Sequence, residues 1–163
     1  MTHALIALGS NLGDSRAVLC AAIASLGDLP ETRLLAVSRL YSTTPVSDVE
    51  QPDFFNAAAL IDTEIAAVEL VAHLHRIEAE QGRERLIHWG PRTLDLDLID
   101  FEGFVSTSPD LHVPHPRAGE RQFVLQPIAD VSPAWPLNGT AVAELVEQTE
   151  DVVVAADFGW AQT

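Results

Sequence analysis

Residues 89–99 read Trp-Gly-Pro-Arg-Thr-Leu-Asp-Leu-Asp-Leu-Ile, and the rest of the chain is organised around this stretch. In its second half leucine alternates with polar residues, a period of two that predicts a β-strand with one face in the core. Asp95 and Asp97 then share the opposite face, about 7 Å apart along the strand. Two carboxylates at this spacing lean toward one small volume, which suits one or two divalent cations.

A half-exposed strand gives the same alternation without any function, so a purely structural interpretation of Asp95 and Asp97 stays open. Aspartate is a poor strand former, however, and two in one short strand carry a propensity cost that solubility does not require. Arg92 lies just upstream of the pair, close to Trp89. Carboxylates next to a guanidinium favour a site for metal-bound phosphate.

The composition indicates one globular domain over residues 1–163, with 47% hydrophobic residues and no apolar run long enough to cross a membrane. The net charge is −15, from 24 acidic and nine basic residues, which disfavours broad contact with nucleic acid or an anionic membrane. The single cysteine, Cys20, rules out an internal disulfide. Together with an N-terminus unlike a signal peptide, it predicts a cytoplasmic protein.

All nine basic residues are arginines, and the absence of lysine excludes a P-loop. Six of the nine lie between Arg76 and Arg121. A basic cluster in so acidic a chain predicts a localised anionic ligand, and the planar guanidinium fork suits phosphate. Some of these arginines are expected to pair with neighbouring glutamates instead, as we expect for Arg76 and Arg117.

The apolar periodicity predicts an alternating order of strands and helices. Strands are predicted at 3–8, 32–44, 54–64 and 94–99, helices at 14–27 and 66–81, and a last short helix at 142–146. The order strand, helix, strand, strand, helix, strand predicts an α+β fold, a ferredoxin-like α/β sandwich in which two helices cover one face of an antiparallel sheet. The glycine-containing turn at 9–14 lacks the Gly-x-Gly-x-x-Gly spacing and is predicted to be structural.

Asn56 is a polar residue inside the otherwise apolar strand 54–64. It either caps a local backbone group or offers its amide to a ligand, and the sequence leaves both open.

Five blocks of sequence, in order, resemble the 6-hydroxymethyl-7,8-dihydropterin pyrophosphokinase family over nearly the whole chain. They are residues 7–14, 51–56, 76–78 with 81–83, 89–97, and 113–115 with 120–123. The resemblance implies transfer of pyrophosphate from ATP to the hydroxymethyl group of the pterin, which gives AMP and the pterin diphosphate in folate biosynthesis. It also implies two Mg²⁺ ions bound with ATP, and we expect the enzyme to be a monomer.

The resemblance assigns roles to individual residues. Asp95 and Asp97 would hold the metal ions, and Arg83 and Arg92 would be catalytic residues on or beside a mobile segment, 82–91, that closes over the nucleotide. Phe54 and Phe123 would stack on the pterin ring, and Asn56 would form hydrogen bonds with its polar edge. The full set of implied pterin contacts is Thr43, Val46, Phe54, Asn56, Trp89 and Phe123. The implied nucleotide contacts are Glu78, Arg85, Trp89, Arg92, Leu98, His115 and Arg121.

Two other functions are compatible with the same residues. A ferredoxin-like nucleotidyl transferase or cyclase also uses paired carboxylates and two metals, but it releases free pyrophosphate rather than transferring it. A regulatory domain that binds a small molecule would need no chemistry, and it would give no reason for Arg83, Arg92 and Arg121 to accompany the acidic pair.

Overall fold

The computed structural model describes residues 1–11, 14–43, 54–81, 94–149, 154–157 and 160. The predicted loop 46–53 and the predicted closing segment 82–91 lie outside these residues. The strands are β1 (Thr2–Ser10), β2 (Thr32–Val37), β3 (Leu40–Thr43), β4 (Phe54–Thr63), β5 (Asp95–Phe101), β6 (Ser106–Ser108), β7 (Leu111–Val113), β8 (Pro136–Leu137), β9 (Thr140–Ala141) and β10 (Val154–Asp157). The helices are α1 (Ser15–Gly27), α2 (Ala67–Glu80), α3 (Gln122–Val131) and α4 (Val142–Gln148), and a 3-10 turn spans Ala118–Glu120.

Within the described residues the main sheet has six strands, ordered β10-β3-β4-β1-β5, with β2 paired to the other half of β4. All its pairings are antiparallel. The predicted α+β fold is therefore confirmed, as are the predicted strands at 54–64 and 94–99 and the helix at 66–81. β1 is longer than predicted, because it continues through Gly9 to Ser10 instead of turning there.

The strand predicted at 32–44 is wrong in one respect, because it is divided into β2 and β3 at Ser38. The Ser38 hydroxyl accepts a hydrogen bond from the Ala58 backbone N–H at 2.9 Å, in place of a backbone carbonyl. The Ser38 N–H in turn donates to the Ala58 carbonyl at 2.9 Å. When a side-chain oxygen takes the place of a backbone carbonyl as the hydrogen-bond acceptor, the regular pairing between the strands is interrupted. β4 therefore pairs with two short strands rather than with one long strand.

Helices α1 and α2 cover one face of the sheet, as predicted. Their buried residues, including Leu19, Leu26, Leu70 and Leu74, form one core with Leu96 and the other inward residues of that face. Full burial of each such side chain contributes roughly 1.5–3 kcal/mol. Asp14 caps α1 by accepting a hydrogen bond from the Ala17 N–H at 3.1 Å.

The second face of the sheet is covered by α3 and α4, which the sequence-based fold did not include on that face. Leu125 and Ile128 of α3 pack on Leu5, Ala58 and Ile99 of the sheet. These contacts lie toward one end of the face. At the other end, where α3 begins, alternate residues of β1 and β5 are partly or fully exposed, and this opening is where the site lies.

The C-terminal half of α3 is fixed to β3 by a polar network around Asp130. Its carboxylate accepts hydrogen bonds from the Arg39 backbone and guanidinium at 3.0–3.1 Å and from the Tyr41 hydroxyl at 2.6 Å. Burial alone raises the pKa of Asp130, but the hydrogen bonds from Arg39 and Tyr41 outweigh it and leave the pKa lowered. Burial, aided by Asp130, raises the pKa of Tyr41 to about 12.

Candidate active site

The register of the sheet places the predicted site residues of three strands side by side. Gly9 of β1 pairs with Asn56 of β4 on one side and with Asp95 of β5 on the other. Two residues along β1, Ala7 pairs in the same way with Ala58 and Asp97. Paired residues in neighbouring strands project from the same face, so Asn56, Asp95 and Asp97 share one face of the sheet.

The middle of this face has very little side-chain bulk. The two central positions are an alanine and a glycine, Ala7 and Gly9, and both are partly exposed even though β1 lies between two other strands. Strand neighbours are about 4.8 Å apart, so Asn56 and Asp95 lie roughly 10 Å apart across a shallow floor. A flat ligand can lie here with an amide at one end and carboxylates at the other.

The predicted metal ligands Asp95 and Asp97 differ in exposure. Asp97 is exposed and Asp95 is half-buried, while Leu94, Leu96 and Leu98 point into the core on the opposite face. The predicted alternation of this strand is thus confirmed. Within the described ranges no group of three or more His, Cys, Asp or Glu side chains is arranged to hold a metal ion.

Glu78 of α2 lies at the outer edge of β5. Its side chain is buried, and Oε2 accepts a hydrogen bond from the Leu96 N–H at 3.0 Å. Leu96 is the residue between Asp95 and Asp97, so this carboxylate holds the segment that carries the acidic pair. The nucleotide contact predicted for Glu78 stays a prediction.

The Leu98 side chain is buried in the core beneath α1 and α2, on the face opposite the two aspartates. Its backbone groups point to the outer edge of β5, as those of Leu96 do, because residues two apart on a strand present their N–H and C=O groups to the same side. Any contact of Leu98 with a nucleotide would therefore use the backbone.

His115 and Arg121 lie near the acidic pair. Burial lowers the pKa of the His115 imidazole, Asp97 acts in the opposite direction, and Arg121 adds to the lowering. The lowered pKa favours the neutral form of the imidazole. Nδ1 accepts the Arg117 N–H at 3.4 Å, so the ring proton is assigned to Nε2, which can donate to an anion.

The first turn of α3 closes one side of the site. Arg121 immediately precedes the helix, and its guanidinium carbon lies 5.6 Å from the centre of the Phe123 ring. This cation–π contact presents a planar cation and an aromatic ring together. Phe54, two residues before Asn56 on β4, lies on the same face of the sheet as Asn56.

Some predicted site residues lie outside the described residues, namely Val46, Arg83, Arg85, Trp89 and Arg92. Of Thr43, only the backbone is described, at the end of β3 and paired with Phe54. The described residues Asp95, Asp97, Asn56, Phe54, His115, Arg121 and Phe123 are placed around one end of the sheet. Sequence reasoning missed Gly9 as part of this site, because it was interpreted as a turn, although small residues at the alternate positions 7 and 9 were a readable signal.

Comparisons with known proteins agree with this geometry. The sequence model of the family described as 7,8-dihydro-6-hydroxymethylpterin-pyrophosphokinase (HPPK) matches residues 5–133. The chain is 48% identical over 142 residues to a 2-amino-4-hydroxy-6-hydroxymethyldihydropteridine pyrophosphokinase of Pseudomonas aeruginosa, covering 86% of this chain and 88% of the relative. A protein of the same name from Haemophilus influenzae is 40% identical, covering 93% and 95%.

Solved structures show the same fold. A Plasmodium falciparum HPPK-DHPS triple mutant matches with a TM-score of 0.72 at 14% identity, covering 90% of this chain. The chain spans 44% of that longer protein. In the described ranges, no helix is long and apolar enough to cross a membrane.

Proposed function

The chain belongs to the 7,8-dihydro-6-hydroxymethylpterin-pyrophosphokinase family, and we propose that the open end of its sheet carries out the family reaction. The enzyme transfers pyrophosphate from ATP to the hydroxymethyl group of 6-hydroxymethyl-7,8-dihydropterin, a step of folate biosynthesis. The observation that carries the proposed site is the row Asn56–Gly9–Asp95 across three strands, with Asp97 beside it on an exposed face.

Asp95 and Asp97 would hold Mg²⁺, and the donor set fits this ion. Magnesium is usually bound by one or two carboxylates together with waters and substrate phosphates, which agrees with a pair of aspartates and no larger cluster among the described residues. Bound Mg²⁺ would neutralise phosphate charge and align the phosphates; we propose two ions, both arriving with ATP.

The pterin would lie on the small-residue floor between Asn56 and the aspartates. Phe54 and Phe123 supply apolar faces for a flat bicyclic ring, and the Asn56 amide offers both a donor and an acceptor to its polar edge. Backbone groups of Thr43 and Val46, together with Trp89, complete the proposed pocket. This orientation directs the hydroxymethyl group toward Asp95.

The triphosphate would lie between the aspartates and the cations beyond them. Arg121 and the Nε2 proton of His115 are donors for phosphate oxygens, and Arg83, Arg85, Arg92 and Trp89 are proposed to close over the nucleotide from the segment before β5. Among the described residues, no other strand of the main sheet pairs with the outer edge of β5, and we propose that the nucleotide base binds to the backbone of this edge at Leu98.

The reaction itself is a single displacement. The pterin hydroxyl oxygen attacks the β-phosphorus of ATP and releases its proton to water. The bond from that phosphorus to the oxygen bridging it to the α-phosphorus breaks, and AMP leaves with that oxygen. The residues named above contribute alignment and charge stabilisation, which together account for most catalysis in phosphoryl transfer. We further propose a cytoplasmic monomer.

Replacement of Asp97 by asparagine tests this assignment. The change keeps size and one carbonyl ligand but removes the charge that offsets a divalent cation, so AMP formation should fall by orders of magnitude. Without magnesium the free energy of unfolding should stay unchanged or rise, because two nearby carboxylates repel each other. AMP is measured chromatographically after incubation with ATP, magnesium and the pterin.

Asp110→Asn is the matched control, since Asp110 is an exposed carboxylate in the turn between β6 and β7. It should retain the parent rate. An Asp97→Asn enzyme that turns over near the parent rate would remove the metal assignment.

A further inference from the structure

Gly9 occupies an interior position of the central part of the sheet, where glycine is normally unfavourable. Glycine in a strand lacks a side chain to pack and loses more conformational entropy on folding than other residues. Backbone torsion does not require it here, because the glycines with positive φ in the described ranges are Gly103 and Gly139. The reason for glycine at this position must therefore be spatial.

The space above Gly9 is limited by the Asn56 amide. A Cβ atom built on Gly9 would lie 3.2 Å from Asn56 Oδ1 and 3.9 Å from the Phe55 carbonyl oxygen. A methyl group at Gly119 would meet nothing within 4 Å, and one at Gly27 would make an ordinary contact of 4.0 Å with Leu34. Among these three, Gly9 is thus the glycine whose replacement would press on a predicted site residue.

The Asn56 side chain has little room to move away from a new methyl group. It is 8% exposed, and it lies between Tyr41 of β3 and Gly9 of β1 in the register of the sheet. A methyl group at position 9 would therefore shift the amide by a few tenths of an ångström or rotate it. Hydrogen bonds weaken steeply with distance and angle, so a small displacement is enough to impair recognition by this amide.

We propose that Gly9 is a positioning residue for pterin recognition, which keeps the Asn56 amide at the height and angle that the pterin edge requires. This inference rests on the proposed function in one respect, the assignment of Asn56 to the pterin. Gly9 acts through Asn56, and its lack of a side chain, rather than any group of its own, sets pterin affinity.

Gly9→Ala tests the proposal against Gly119→Ala. The dissociation constant for the pterin should rise about tenfold in Gly9→Ala, the equivalent of one lost hydrogen bond, and should stay within about twofold in Gly119→Ala. The dissociation constant for a non-hydrolysable ATP analogue should stay within about twofold in both variants. At saturating pterin, kcat should be largely retained, so the loss appears in KM.

A double-variant cycle with Asn56→Ala shows whether the added methyl group acts on the Asn56 amide or directly on the pterin. Asn56→Ala alone should weaken pterin binding, and adding Gly9→Ala should then weaken it by less than about twofold, since the group that the methyl displaces is gone. If Gly9→Ala has the same effect in both backgrounds, the methyl meets the pterin directly and the positioning role is wrong.

Two other outcomes have distinct meanings. If Gly9→Ala leaves pterin affinity unchanged while Asn56→Ala lowers it, the inference fails and the proposed pterin site stands. If Asn56→Ala also leaves pterin affinity unchanged, the pterin assignment within the proposed function fails. Should Gly9→Ala alone be too unstable to titrate, restored stability in the double variant supports the contact with the amide, and unrestored stability overturns it.

Discussion

Glu78→Ala is the most informative change outside the acidic pair, because Glu78 can act in two different ways. In the structure its buried carboxylate accepts the Leu96 N–H at 3.0 Å and so holds the segment between Asp95 and Asp97. The resemblance instead implies a contact with ATP. The two roles predict different effects on stability and on nucleotide affinity.

The expected loss of stability in Glu78→Ala follows from the hydrogen bond between the Leu96 N–H and the Glu78 carboxylate. A hydrogen bond to a charged group contributes about 1.5–3 kcal/mol, and its loss here leaves the buried Leu96 N–H without this acceptor. We expect the free energy of unfolding to fall by about 2–3 kcal/mol. Turnover should fall about 10- to 100-fold, the usual effect of removing a group that orients metal ligands.

Glu78→Gln refines the test. The glutamine carbonyl still accepts from Leu96, so the loss of stability should be about 1 kcal/mol and turnover should be mostly retained. Urea denaturation followed by tryptophan fluorescence measures the free energy of unfolding, and AMP formation measures turnover.

Glu80→Ala is the control on the same helix. Glu80 forms an exposed ion pair with Arg76 at 2.8 Å, with both side chains half exposed, so its loss should cost no more than about 0.5 kcal/mol. If Glu78→Ala leaves the free energy of unfolding unchanged, the positioning role is refuted. If Glu78→Gln keeps stability but raises the dissociation constant for ATP about tenfold, the nucleotide contact is the correct role.

Two further predictions concern α3. Phe123→Ala should raise the pterin dissociation constant clearly, since a lost aromatic contact is worth about 0.5–1.5 kcal/mol beyond burial, while ATP binding measured alone should barely change; an equal loss for both ligands would indicate a damaged fold. The pKa of Asp130 is lowered by hydrogen bonds from Arg39 and Tyr41 despite burial, so the stability that it contributes is present above the ordinary carboxyl pKa and is lost as the pH falls below about 4. Asp130→Asn should flatten the dependence of unfolding free energy on pH in that range, and an unchanged profile would contradict the lowered pKa.

Sequence patterns alone were sufficient to predict the elements whose signal is local. The alternation at 94–99 placed Asp95 and Asp97 on one face because a strand has a period of two wherever it lies, and the same rule assigned the two faces of the strand with Asn56. The helix at 66–81 was equally readable from its apolar spacing. The family resemblance supplied the activity, which the comparisons with known proteins support.

Other features depend on contacts between residues that are distant in sequence, and these follow only from the folded structure. Ser38 divides a predicted strand because its hydroxyl bonds to Ala58, 20 residues away. Helix α3 contains Pro127, which argues against a helix in a local analysis, and it is anchored by contacts of Asp130 with Arg39, 91 residues away. Strand β10 and the buried Trp160, whose indole N–H donates to the Ser38 carbonyl at 2.9 Å, were not predicted either.

The same division applies to the site. The sequence predicted a role for the two carboxylates because aspartate is a poor strand former, and for the arginines because they cluster in an acidic chain. It left the role of Asn56 open between a backbone cap and a ligand contact. It did not reveal that Gly9 lies between Asn56 and Asp95, since that depends on the register of three strands joined by long connections. Register is set by packing of the whole sheet, and it therefore exists only in the folded chain.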